Sequence, residues 1–116
     1  MSEANINLID RQITVKLYND LIVQLNKDFS LSGIDFNLSL NCKPNKLIKD
    51  LTMLFQNTIL KDYQKFNQLM YVLDIPEKRL ASLKERQLDV VIDRIIRLVL
   101  ERVLQKVYLK QKFGNL

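Results

Sequence analysis

The side chains with the strongest claim to chemistry lie in the C-terminal third of the chain. Asp89 and Asp93 fall one turn apart on one helical face, and Glu101 follows two turns later. Converging carboxylates of this kind can hold a hard cation. Arg94, Arg97 and Arg102 stand close by, however, and the set reads better as an ion-paired helix surface. Softer metal sites are disfavoured by composition, since the chain has no histidine and a single cysteine, Cys42. Without histidine there is no Glu-x-x-His pair for a di-iron bundle and no Ser–His or Cys–His nucleophile. The side chain best poised for proton transfer at neutral pH is missing too. Cys42 closes an alternating apolar row and reads as a small buried hydrophobe, not an activated thiol. With Gly33 and Gly114 as the only glycines, no phosphate-cradling loop exists. No catalytic, cofactor-binding or metal-ligating residue is therefore assigned. The expectation is a protein that is not an enzyme and takes no cofactor or small-molecule substrate.

A second chemistry is suggested by charge. The net charge is +5, and residues 1–75 hold eight basic and eight acidic groups. Residues 76–116 hold ten basic and five acidic groups, so the whole excess lies there. A nucleic-acid contact could be built from Arg86, Arg94 and Arg97 on a recognition helix, or from Lys106, Lys110 and Lys112 around Tyr108. Against this, no glycine marks a tight turn between helices, and Asp89 and Asp93 would face the same phosphates. A basic last turn also complements a helix dipole without any ligand. Nucleic-acid binding through residues 76–116 is the alternative reading, not the leading one.

These residues need elements to carry them, and almost all of the sequence is patterned as helix. At 116 residues the chain is expected to form a single helical domain, 1–116. Apolar residues at 47% and charged residues at 27% give an ordinary globular balance. One long helix is expected over about 8–31, from the four-residue recurrence of Ile9, Ile13, Leu17, Leu21, Leu25 and Phe29. Asn7 can cap it, Asp10 suits its first turn, and Gly33 can stop it. A second helix is expected over about 45–73, introduced by Pro44 and Asn45 and striped by Ile48, Leu51, Phe55, Ile59, Phe66, Leu69, Met70 and Leu73. Asp74 and Glu77 resemble a capping box for a short helix at about 76–84. The last helix, about 86–112, carries apolar pairs every four residues from Val91/Ile92 to Val107/Tyr108. Its most apolar stretch, Leu88 to Leu109, contains seven charged residues, which argues against a membrane span. No export signal is recognised, and a cytoplasmic protein is expected.

One segment departs from the helical pattern. Over residues 34–42 apolar Ile34, Phe36, Leu38, Leu40 and Cys42 alternate with Asp35, Asn37, Ser39 and Asn41. Three arrangements fit it. It can be an extended connector over the helical core, a view favoured by its poor strand formers. It can pair with the same segment of a second copy, or with an extended stretch around Ile13 to Leu17. Helices of about 40 Å would make a slender rod with poorly shielded apolar positions, so an elongated bundle completed by dimerisation is expected. Ile34, Phe36, Leu38 and Leu40, with Met53, Leu60 and Tyr71 from the wetter side of the second helix, are the candidate partner interface. The function expected is contact with protein partners, the chain itself first among them.

Overall fold

The computed structural model describes residue 5 and residues 15–81 and 87–114. Among them the chain is mostly helical, with no strand. We number the helices α1 (Val15–Leu31), α2 (Pro44–Lys61), α3 (Tyr63–Val72), α4 (Glu77–Ala81) and α5 (Leu88–Phe113). The start of the expected first helix, the end of the expected short helix and Arg86 fall outside the described residues. α5 packs against both α1 and α2, while α3 packs against α2 and α1. Leu21, Ile22, Leu25 and Phe29 of α1 meet Leu47, Ile48, Leu51 and Phe55 of α2 and the α5 row Ile92, Ile96, Val99 and Val103 in one core.

The second helix expected over 45–73 is two helices. Asp62 leaves the helical region at φ −150°, ψ 73°, and its side chain caps α3 by accepting from the Lys65 amide. The bend returns α3 toward the core, where Phe66 meets Phe55 edge-on with centroids 6.3 Å apart. That bend also removes the expected rod. The molecule measures 38 × 28 × 26 Å with a radius of gyration of 13.6 Å. A compact chain of this length would have about 13.4 Å. The shielding argument for a second copy therefore lapses. At the start of α2, Pro44 is the first helical residue behind an extended Lys43, so Asn45 is not the cap.

Two helix ends share one device with different residues. After α1, Ile34 N donates to Phe29 O (2.9 Å) and Gly33 N to Ser30 O (3.1 Å), with Gly33 at φ 75°. After α3, Ile75 N donates to Met70 O (3.0 Å) and Asp74 N to Tyr71 O (3.0 Å), with Asp74 at φ 60°. Both are Schellman closures, and Asp74 occupies the left-handed position that glycine usually fills. Its backbone thus ends α3, a correction to its expected role in capping the following helix. The Asp74 carboxylate accepts from Arg102 (3.0 Å), but it is largely exposed and the pair adds little. Asp74→Gly should therefore stabilise the fold by up to about 1 kcal/mol, and Gly33→Ala should destabilise it by about 1 kcal/mol. Urea-unfolding midpoints of the two variants should move in opposite directions.

The connector between α1 and α2 is held by a side chain. Asn26 Oδ1 accepts from Leu38 N (2.7 Å), and Asn26 Nδ2 donates to Leu38 O (3.0 Å). One carboxamide thus stands in for the neighbouring strand at that residue. Ile34, Leu38 and Cys42 are buried, and Phe36 lies edge-on to Phe29 at 6.0 Å. Residues 34–42 form the connector and not a strand. Val15 to Leu17 are helical, which removes them as an extended pairing partner.

Candidate functional site: a buried polar seam and exposed apolar faces

Four polar side chains gather between α1 and α5; Lys106 and Lys110 were named as possible nucleic-acid contacts, whereas Gln24 and Asp28 were not singled out in the sequence. Gln24 and Asp28 lie one turn apart on α1, and Lys106 and Lys110 lie one turn apart on α5. Lys110 Nζ donates to Gln24 Oε1 (2.8 Å), and Gln24 Nε2 donates to Asp28 Oδ1 (3.0 Å). Lys106 Nζ stands 3.9 Å from Asp28 Oδ2 and donates to Val72 O (3.3 Å), so it also reaches the end of α3. The order Gln24 to Lys110 and Asp28 to Lys106 sets α1 and α5 antiparallel. Asp28 is 2% exposed, and its Oδ2 accepts no hydrogen bond. Burial pushes its carboxyl above the ordinary value of 3.8, and Lys106, the Gln24 bond, Lys110 and Lys27 oppose that shift.

Beside this seam is a shallow cavity of about 370 Å³ lined by Lys16, Asp20, Val23, Gln24, Val107, Lys110 and Gln111. A second, of about 330 Å³, separates the Asp74–Arg79 turn from Leu98, Glu101, Arg102 and Gln105 of α5. Both open to solvent and mix acids with bases. Asp89 and Asp93 line a third cleft with Thr52 and Val90, and Asn5 Nδ2 donates to Asp93 O (3.0 Å). Among the described residues, no three histidine, cysteine or acidic side chains gather where they could hold a metal ion. Cys42 is buried, with the Tyr18 hydroxyl donating to its carbonyl (2.7 Å).

The residues named for a partner interface divide. Ile34 and Leu38 belong to the core and Phe36 is half-buried, so their apolar surface is spent inside the molecule. Leu40, Met53, Leu60 and Tyr71 are exposed, Leu60 at 69% and Tyr71 at 85%. Tyr63, beside the bend, joins them, and Tyr108, Leu109 and Phe113 stand exposed at the end of α5. The basic residues named for nucleic acid also divide. Lys106 and Lys110 turn toward α1, and Arg97 bonds Glu101 at 2.6 Å. Arg94 and Lys112 are exposed, with Lys112 Nζ 5.9 Å and 5.5 Å from the Tyr108 and Phe113 ring centres.

The seam was legible in the helical count. At 100° per residue, Asp28 falls between Leu17 and Leu21 within the apolar arc of α1. Lys106 and Lys110 fall between Ile95 and Val103 in the same projection of α5. Opposite charges inside two apolar arcs mark the pairing of buried Asp28 with part-buried Lys106, while Lys110 stays exposed at the edge. No helix among the described residues is long and apolar enough to cross a membrane. No family model, curated protein or solved structure matches the chain.

Proposed function

We propose that this protein acts through contacts with protein chains and carries out no reaction of its own. The observation that carries this reading is the placement of large apolar side chains outside the core that the described helices form. Met53, Leu60, Tyr63 and Tyr71 project from α2 and α3, while Tyr108, Leu109 and Phe113 project from the end of α5. Single exposed apolar residues need no explanation, but Met53 and Leu60 recur on one side of α2, and clustered exposed apolar residues favour a contact surface. The nucleic-acid alternative draws less support, because Lys106 and Lys110 are engaged with α1 and α3.

The test is a pair of surface variants in the full chain. One carries Met53→Ser, Leu60→Ser and Tyr71→Ser; the other carries Tyr108→Ser and Phe113→Ser. Each should unfold within about 1 kcal/mol of wild type, because exposed positions contribute little to the core. Cross-linking in cell extract should give polypeptide adducts of defined mass that at least one variant loses. Adducts retained by both variants, or indistinguishable from those of an inert control protein, would contradict the reading.

A further inference from the structure

Towards its end α5 carries apolar side chains around much of its circumference, and only part of them is used by the fold. Val103 and Val107 face the core, while Tyr108, Leu109 and Phe113 lie outward. A helix apolar all round is normally buried all round. Seen down the axis, Tyr108, Glu101, Lys112 and Gln105 fall within about 60° of one another, directly away from the core. Their spacing of four, three and four residues is that of a straight seam between two helices. All four are exposed.

The seam has a further property: it reads the same against itself in reverse. With two copies of α5 antiparallel about a two-fold axis between residues 106 and 107, Glu101 lies opposite the partner's Lys112. Gln105 then lies opposite the partner's Tyr108. Symmetry makes each contact twice, giving two opposite-charge pairs around an aromatic and amide centre. A parallel arrangement would instead stack Glu101 on itself and Lys112 on itself. Leu109, at 41% exposure, flanks the seam on one side and would be covered with it, whereas Phe113 falls at the angle of Ile95, off the seam.

We propose that the outward face of α5, centred between Gln105 and Tyr108, is where a second copy of this chain docks antiparallel. The proposal rests on the reading of the protein as a contact module and names one partner and one surface for it. Charge complementarity distinguishes this occupant from others. Glu101, bonded to Arg97 (2.6 Å), and Lys112 hold opposite charges at the two ends of the face, a pattern matched by its own reverse and not by a uniformly acidic nucleic acid or peptide.

Sedimentation equilibrium of the intact chain at tens of micromolar tests the proposal, with Glu101→Lys, Lys112→Glu and the double charge swap. Wild type should have twice the 13.7 kDa chain mass. Each single swap places like charges together twice and should weaken association roughly tenfold or more; the double swap should restore it. Circular dichroism should show all four proteins equally folded, since both positions are exposed. Wild type at 13.7 kDa throughout would overturn the second-copy proposal, leaving the contact reading to the cross-linking test. A dimer indifferent to every swap would overturn the α5 face while keeping self-association.

Discussion

Asp28→Asn should make the fold more stable at neutral pH and change the way its stability responds to acid. Asp28 is enclosed between α1 and α5, and burial raises its carboxyl above 3.8 even with Lys106, Lys110 and Lys27 nearby. A group whose folded pKa is raised contributes its full stability below the unfolded value. That contribution is lost as pH rises through the folded value, so the ionised side chain is a cost at pH 7. Asparagine keeps an oxygen for Gln24 Nε2, and its amide nitrogen takes the place of Oδ2, 3.9 Å from the Lys106 ammonium, as an uncharged donor without an acceptor there. It gives up the 3.9 Å attraction of Lys106, which keeps its bond to Val72 O. Because burial outweighs the nearby lysines in setting the pKa of that carboxyl, removing the charge should outweigh the loss, for a gain of about 1 kcal/mol at pH 7. The gap between variant and wild type should widen from about pH 4 to pH 7. Urea unfolding across that range measures both quantities. A variant less stable than wild type at pH 7 would mean that the pairing with Lys106 outweighs the cost of burial.

The seam and the bend mark two different limits on reading this chain from its residues. The helical arcs themselves were plain, because Leu, Ile and Val at four-residue spacing can satisfy little else. The seam was visible as well, since a carboxylate and two ammonium groups inside apolar arcs must meet something; reading Lys106 and Lys110 for their charge alone assigns them to an outside ligand and passes over Asp28. The bend was not visible. Ile59 and Phe66 are seven residues apart, so the apolar stripe runs through Asp62 without losing phase. Asp62 as a cap differs from Asp62 on a solvent face only in its backbone angles. What selects the bent form is tertiary, namely Phe66 turning in to meet Phe55. Lacking that contact in the pattern, the sequence extrapolates to a rod, and from the rod to a partner needed for shielding. The self-docking face on α5 is a separate matter, because it rests on surface left outside a finished core.

Phe29→Ala should have the largest effect of any change considered, a loss of about 3–5 kcal/mol. Phe29 is fully buried at the C-terminal turn of α1, where its carbonyl accepts from Ser32 N (3.1 Å) and Ile34 N (2.9 Å). Its ring therefore joins the helix core to the residues that launch the connector. A domain of this size has about 5–15 kcal/mol in total, so the variant should sit near the edge of folding. Phe36→Ala removes only the half-buried partner ring and should cost about 1–2 kcal/mol. Ring centroids 6.0 Å apart at 70° predict that the two losses are not additive. The double variant should recover about 0.5–1.5 kcal/mol relative to their sum. This coupling discriminates between the connector and an edge strand pairing with a second copy. A connector held by Phe29 and Asn26 gives coupling that is independent of protein concentration, with the Leu38 amide protected from exchange in the monomer. Additive losses, or protection of Leu38 that appears only as concentration rises, would mean that another chain holds the segment.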